Sequence, residues 1–285
     1  MSKIVLTGYK GFIASHYYDY ITDHEVIGYD KIGGIDLCNQ SITRHLPDCD
    51  IVVHMAATNG TKLFYEIPTE VAFNNTLPTF NLIQRYKDSN TKFVFTSTCE
   101  IFNGAIDNGY YSVPTDEHVP IHFEDIINPR WSYSIPKALG ENLVANSLLP
   151  WLIIRYFNIY GPGQKDHFIS EFVERVKKQE YYIVGDDTRS FCYIDDAIKM
   201  THDLVMNHSE HIVNVGRQEE SRISDVAKII MSIMDVDPNK LEIQPGRYGS
   251  ATRRCPDTAL VQKLTGFEDY TPLQEGLKKT VESLL

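Results

Sequence analysis

Lys3-Ile4-Val5-Leu6-Thr7-Gly8-Tyr9-Lys10-Gly11-Phe12-Ile13-Ala14 decides the fold. Its opening apolar run, Lys3 aside, does not alternate, which suits a strand buried on both faces of a parallel sheet. The chain then turns at Gly8 and opens a helix near Gly11. Glycines at these points let the backbone turn tightly and approach a pyrophosphate at a helix N-terminus, and small Ala14 keeps the helix close to the strand. A glycine-containing turn with no ligand would carry the same local sequence. The next strand, His24-Glu25-Val26-Ile27-Gly28-Tyr29-Asp30, separates the two readings. It ends in an acid roughly 20 residues beyond Gly11, where a dinucleotide fold sets a carboxylate against the adenosine ribose hydroxyls. Asp30 would repel a 2′-phosphate and so favours NAD over NADP, while Lys31 beside it argues the other way. Asp36 has two readings, facing an adenine or capping the helix entered after Asn39.

Further strands extend the pattern. Asp50-Ile51-Val52-Val53-His54-Met55-Ala56-Ala57 is another buried run, and its small terminal residues leave room for a flat cofactor across the sheet. His54 reads as a packed core histidine rather than a catalyst. Between residues 69 and 87, Phe73, Leu77, Phe80 and Ile83 fall at helical spacing, a stripe for the core or a subunit interface. Pro78 inside that pattern should break or kink the helix. Phe93-Val94-Phe95-Thr96-Ser97-Thr98-Cys99-Glu100-Ile101-Phe102 is a strand ending in hydroxyls.

Arg130-Trp131-Ser132-Tyr133-Ser134-Ile135-Pro136-Lys137 then sets a phenol and an ammonium at positions i and i+4, on one face of a helix. A lysine beside a tyrosine favours the phenolate, drawing a pKa of roughly 10 towards neutrality. Such a group is a general base able to take a hydroxyl proton while a hydride leaves the same carbon. The Thr98 hydroxyl would bind the same substrate oxygen. Pro136 is compatible with this geometry if the helix starts near Ser132 or Ser134, which keeps the proline in or just beyond the first turn.

Composition sets the outer limits. With 285 residues, 42% of them hydrophobic and 23% charged, the chain can bury the core of a globular protein. A net charge of -11 argues against a nucleic-acid partner, which would want a basic face. No apolar run approaches the roughly 20 residues of a membrane span, and the first strand begins too early for a signal peptide. Five scattered cysteines lack metal-ligand spacing, so no metal is expected and reduced thiols in a cytoplasmic protein are the simplest reading.

Together these residues resemble the extended short-chain dehydrogenase/reductases, the NAD-dependent epimerase/dehydratase family acting on nucleotide sugars. The match runs through nearly the whole chain. Thr7-Gly8-x-x-Gly11-x-x-Ala14 is the glycine motif, with Ala14 where a third glycine is usual. Asp30 is the acid on the second strand, His54-Met55-Ala56-Ala57 the third-strand end, and Asn74 or Asn75 the asparagine of the following helix. Thr98, Tyr133 and Lys137 form the catalytic triad. Arg155 and Asn158 match the segment leaving the core, Asn158 towards the substrate phosphates. Tyr182 to Asp196 looks like the family's substrate-domain strand pair, and Arg253-Arg254-Cys255-Pro256-Asp257 like its late arginine element.

The resemblance implies an α/β fold, a Rossmann-type doubly wound parallel sheet with a smaller C-terminal substrate domain. Residues 1–160 would bind NAD and residues 161–285 mainly the nucleotide sugar, some segments returning to the first domain. The implied NAD contacts are Gly8, Lys10, Gly11, Phe12, Ile13, Asp30, Lys31, Asp36, Leu37, Met55, Ala56, Ala57, Asn75, Tyr133, Lys137 and Tyr156. Thr98, Asn158, Arg189 and Arg254 would hold the substrate, the arginines gripping its diphosphate. The implied chemistry is that of an epimerase/dehydratase, transient oxidation at C4 of the sugar to a 4-keto-sugar, from which return of the hydride on the opposite face gives a 4-epimer. Glu100, standing where 4,6-dehydratases and uronate decarboxylases carry a base, opens those outcomes as alternatives. A catalytically silent NAD sensor is a further alternative, opposed by the complete Thr98, Tyr133 and Lys137 set. Relatives commonly pair through two helices, implying a homodimer.

Overall fold

A computed structural model describes residues 1–246 and 252–285. Its centre is a six-stranded parallel sheet. In chain order the first strands and helices are β1 (Lys3–Thr7), α1 (Phe12–Tyr20), β2 (Glu25–Tyr29), α2 (Gln40–Thr43), β3 (Ile51–His54), α3 (Thr61–Glu66), α4 (Pro68–Tyr86), β4 (Lys92–Thr98), α5 (Asn103–Asp107), α6 (Trp131–Ala145) and β5 (Trp151–Tyr156). The later ones are β6 (Ile159–Tyr160), α7 (Phe168–Lys177), β7 (Tyr182–Val184), β8 (Thr188–Ser190), β9 (Cys192–Tyr193), α8 (Ile194–Asn207), β10 (His211–Val215), β11 (Glu220–Arg222), α9 (Ile223–Ile233), β12 (Glu242–Gln244), β13 (Arg253–Arg254), α10 (Ala259–Thr265) and α11 (Leu273–Leu284).

The sheet order is β10-β5-β4-β3-β1-β2. From β1 the chain steps outward to β2 and then returns to place β3 on the other side, so the order reverses at β1. That reversal opens a crevice at the carboxyl ends of β1 and β3, where open α/β sheets bind ligands. The continuous apolar runs follow from burial on both faces. Ile4 and Leu6 of β1 pack with Tyr17 and Ala197 on one side, while Val5 packs with Leu82, Tyr86 and Val144 on the other. Residues of period two thus feed two separate cores.

Helix α6 lies close on the sheet. A Cβ at Gly140 would stand 2.4 Å from the Phe95 ring, so only glycine permits this approach. A buried ion pair fixes the same contact: the Arg155 guanidinium of β5 grips Glu141 of α6 at 2.9 and 2.7 Å. Arg155 also donates to the Glu117 carbonyl, tying down the segment between α5 and α6.

Of the break or kink expected at Pro78, the break is excluded. Pro78 does not divide its helix; α4 runs from Pro68 to Tyr86 with the proline buried inside it. A missing N–H costs one bond, and packing of Val71, Leu82, Ile83 and Tyr86 holds the remainder. Helix α6 begins at Trp131, within a residue of the Ser132 start under which the i, i+4 geometry is expected to hold, and Pro136 lies just beyond its first turn. Tyr133 and Lys137 accordingly share a face, with the ammonium 5.9 Å from the centre of the phenol ring.

The second half does not form the simple strand pair expected around Arg189. Strand β8 pairs antiparallel with β11 and parallel with β13, whereas β7 pairs with β12. In the β8–β13 register Arg254 lies directly opposite Arg189. Strand β10 returns to the central sheet beside β5, and α8 packs on α1.

Candidate active site

The glycine turn is a cradle without room for side chains. Gly8 has φ +72°, and a Cβ there would meet Ala56 Cα at 2.6 Å and the Met55 carbonyl carbon at 3.0 Å. Only glycine allows the turns after β1 and β3 to approach so closely. The Gly11 amide donates to the Gly8 carbonyl, and Gly11 caps α1, so Phe12 and Ile13 supply the helix's first amides. This set fits a dinucleotide: small residues at the crevice, then a helix N-terminus able to receive a pyrophosphate. Asp30 ends β2 beside it, accepting from the Lys10 amide at 3.1 Å and the Ile32 amide at 2.9 Å. Lys31 is paired with Asp36 at 3.3 Å. Asp36 does not cap α2; it accepts the Cys38 amide, and Asn39 caps the helix. Leu37 is buried, its carbonyl accepting from the Asn81 side chain. Asn75 bridges Thr58 on both sides, accepting from its amide and donating to its carbonyl, which fixes the backbone just after Ala57.

His54 is the packed core histidine its sequence reading expects, and Tyr156 of the expected cofactor set also lies against a packed layer. His54 bridges Thr7 and Thr79 through its two ring nitrogens, and burial holds its pKa down at about 3, so it is neutral. Tyr156, expected near the cofactor, instead bonds Thr201 of α8 through its hydroxyl at 2.8 Å. Strand alternation turns it towards the α1 and α8 layer.

Thr98, Tyr133 and Lys137 meet at the carboxyl end of β4. Lys137 donates to the Thr96 carbonyl at 2.7 Å, and its ammonium lies 5.9 Å from the centre of the Tyr133 ring. Burial brings Lys137 down to about 8, Glu141 partly opposing the fall. The expected depression of Tyr133 is not what the geometry gives. Burial, then the nearby Glu100 charge and Cys99, push the phenol well above its ordinary value, and a hydrogen bond with Thr98 offsets only part of this. The lysine spends its ammonium on a backbone carbonyl, so desolvation outweighs its attraction for a phenolate.

Beside this trio three arginines gather around Glu100. Its carboxylate meets Arg254 at 2.7 Å and Arg130 at 3.2 Å, and accepts from Asn103 at 2.6 Å. Burial alone would raise its pKa; Arg254, Arg130 and Arg189 win, with Asn103, and hold it at about 2. Arg189 reaches Asp187 at 3.6 Å, and burial together with Arg254 brings Arg189 down to about 10. Cys99 is buried 4.0 Å from the Asn158 side-chain oxygen, with its thiol pushed up by burial. Asn158 itself has a positive φ of 35°.

Three participants were not read from the sequence as such. Arg130 was noted only as context, because nothing in the chain order reveals that α6 starts beside Glu100. Glu141 falls one turn after Lys137 and carries no signal of its own in the sequence. Phe64 lies in α3, a helix too short for a periodic signal, and stacks on Tyr133 with ring centres 5.2 Å apart.

Comparison with known proteins bears on the family and the fold. The model of the NAD dependent epimerase/dehydratase family matches residues 4–216. A UDP-N-acetyl-alpha-D-glucosaminuronate decarboxylase of Bacillus cytotoxicus is 27% identical over 98% of this chain and 97% of that protein. The fold is shared with a Thermotoga maritima UDP-glucose 4-epimerase solved with UDP-glucose, at TM-score 0.86, 24% identity, and 99% and 98% coverage of the two chains. A Thermus thermophilus UDP-glucose 4-epimerase solved with NAD superposes at TM-score 0.84, with 23% identity and 99% and 98% coverage.

Proposed function

This chain belongs to the NAD-dependent epimerase/dehydratase family of enzymes, and we propose that it oxidises the C4 hydroxyl of a nucleotide-diphosphate sugar to a transient ketone. The carrying observation is the convergence of Thr98, Tyr133 and Lys137 at the end of β4. Tyr133 takes the hydroxyl proton, Thr98 orients the same oxygen, and Lys137 supplies positive charge behind the phenol. NAD supplies the hydride acceptor when bound. Gly8, Gly11, Phe12 and Ile13 would hold its pyrophosphate, with Asp30 at the ribose. Arg189 and Arg254, neighbours across two strands, would grip the substrate diphosphate.

Reversal of the oxidation on the other face of the ketone gives an epimer, and this is the first reading. A second, loss of carbon dioxide from a C6 carboxylate, is favoured by Arg130. Three guanidiniums gather where two serve a diphosphate, and the third suits another carboxylate. Dehydration is disfavoured. It needs an acid to expel hydroxide, and Cys99 with a raised pKa and Glu100 held at about 2 are both poorly suited.

Incubation with a panel of UDP-, GDP-, dTDP- and CDP-sugars in deuterated water, followed by NMR, tests this reading. An epimer without solvent deuterium, or release of carbon dioxide, is expected. Loss of water with deuterium at C5 would instead make it a dehydratase. Tyr133→Phe should lose about a hundredfold or more in turnover; full activity in that variant would overturn the mechanism. Tight NAD binding with no turnover of any nucleotide sugar would point to a sensor.

Residues 1–160, with β10 beside them, would form the NAD-binding part, and residues 161–285 mainly the sugar-binding part. A homodimer is supported by exposed apolar side chains on two neighbouring helices: Phe73, Leu77 and Phe80 of α4 are 59%, 36% and 43% exposed, and Leu139 of α6 is 43% exposed. Among the described residues no helix is long and apolar enough to cross a membrane, and all five cysteines are free thiols, which supports a place in the cytoplasm.

A further inference from the structure

The rings of Phe64 and Tyr133 stack, with centroids 5.2 Å apart and planes within 13° of parallel. Phe64 comes from α3 and Tyr133 from α6, and Val71 of α4 closes the same small apolar cluster. Both rings are buried, at 3% and 7% exposure. Lys137 lies 5.9 Å from the ring centre, and Thr98 is close enough to the phenol to oppose the rise of its pKa. These polar partners restrain the hydroxyl but do not fix the plane of the ring, since the torsion that turns a tyrosine ring has broad minima. A flat neighbour does fix it.

We propose that Phe64 is a positioning residue for proton transfer: its ring sets the plane of the Tyr133 phenol and keeps water from that face. The inference rests on the hydride-transfer reading of Tyr133. Two effects follow. Excluding water disfavours the phenolate, so the stack contributes to the raised pKa that burial produces. Fixing the plane keeps the oxygen within hydrogen-bond reach of the substrate hydroxyl, where small displacements cost large factors in rate.

Three variants separate these effects. Phe64→Tyr keeps a flat stacked ring, Phe64→Leu keeps an apolar filling without one, and Phe64→Ala removes both. Tyr133 ionisation is followed by ultraviolet difference titration of the NAD-loaded protein, with Tyr133→Phe in the same background as blank. Phe64→Ala should lower the Tyr133 pKa and reduce kcat about tenfold, with KM for the sugar nearly unchanged. Phe64→Leu should lose a similar factor in kcat with a smaller pKa change, and Phe64→Tyr should restore both. Wild-type kcat in Phe64→Leu, or equal losses in all three variants, would overturn the positioning role. If the wild-type protein turns over no nucleotide sugar, the hydride-transfer reading falls. The titration still decides the stack, because an unmoved Tyr133 ionisation in Phe64→Ala overturns it.

Discussion

Glu100 stays charged in a buried site because Arg254, Arg130 and Arg189, with the Asn103 amide, outweigh what desolvation costs. Its folded pKa of about 2 lies below the ordinary 4.5, so the carboxylate stabilises the fold fully above pH 4.5. That contribution is lost as pH falls towards 2. Glu100→Gln keeps the shape and removes the charge, leaving the arginines without their shared counter-ion. Urea titration at neutral pH should show a loss of about 3 kcal/mol, and the gap from wild type should narrow below pH 4.5. A constant gap across that range would mean the charge is not what matters. The family resemblance placed Glu100, Arg189 and Arg254 in the site, but not the convergence on Glu100 of Arg130, at the N-cap of α6, with the arginines of β8 and β13.

At the level of elements, α4 shows how far periodicity carries. The stripe Phe73, Leu77, Phe80 and Ile83 was legible, but one pattern covers two fates: Ile83 is buried in the core and the other three face outward. Only packing against the sheet decides which part of a stripe is core. Replacing Phe73 and Phe80 together by Glu should leave the fold intact, since both are exposed, and convert a dimer to a monomer in sedimentation velocity. An unchanged sedimentation coefficient would remove the dimer proposed for this face. Helix α6 gives the complementary lesson. Its proline calls for a start near Ser132, and the helix begins at Trp131, so here a local signal placed the boundary to within a residue.

Across the whole molecule, Arg155 and Glu141 tie β5 to α6, and Arg155 reaches on to Glu117. Glu117 in turn accepts the Asn214 amide of β10, so one buried pair links the sheet, α6 and the segment between α5 and α6. Glu141→Ala strands the Arg155 charge and should cost about 3–5 kcal/mol by urea titration; a loss under about 1 kcal/mol would mean water reaches the guanidinium. The sequence by itself determined the parallel sheet, the glycine turn, Asp30 and the pairing of Tyr133 with Lys137, because these depend on runs, periods and short spacings along the chain. The tertiary structure decided the direction of the Tyr133 shift, the charge state of Glu100 and the stack of Phe64 on the phenol. Each of these depends on burial and on groups brought together from distant strands and helices, and no local spacing encodes them.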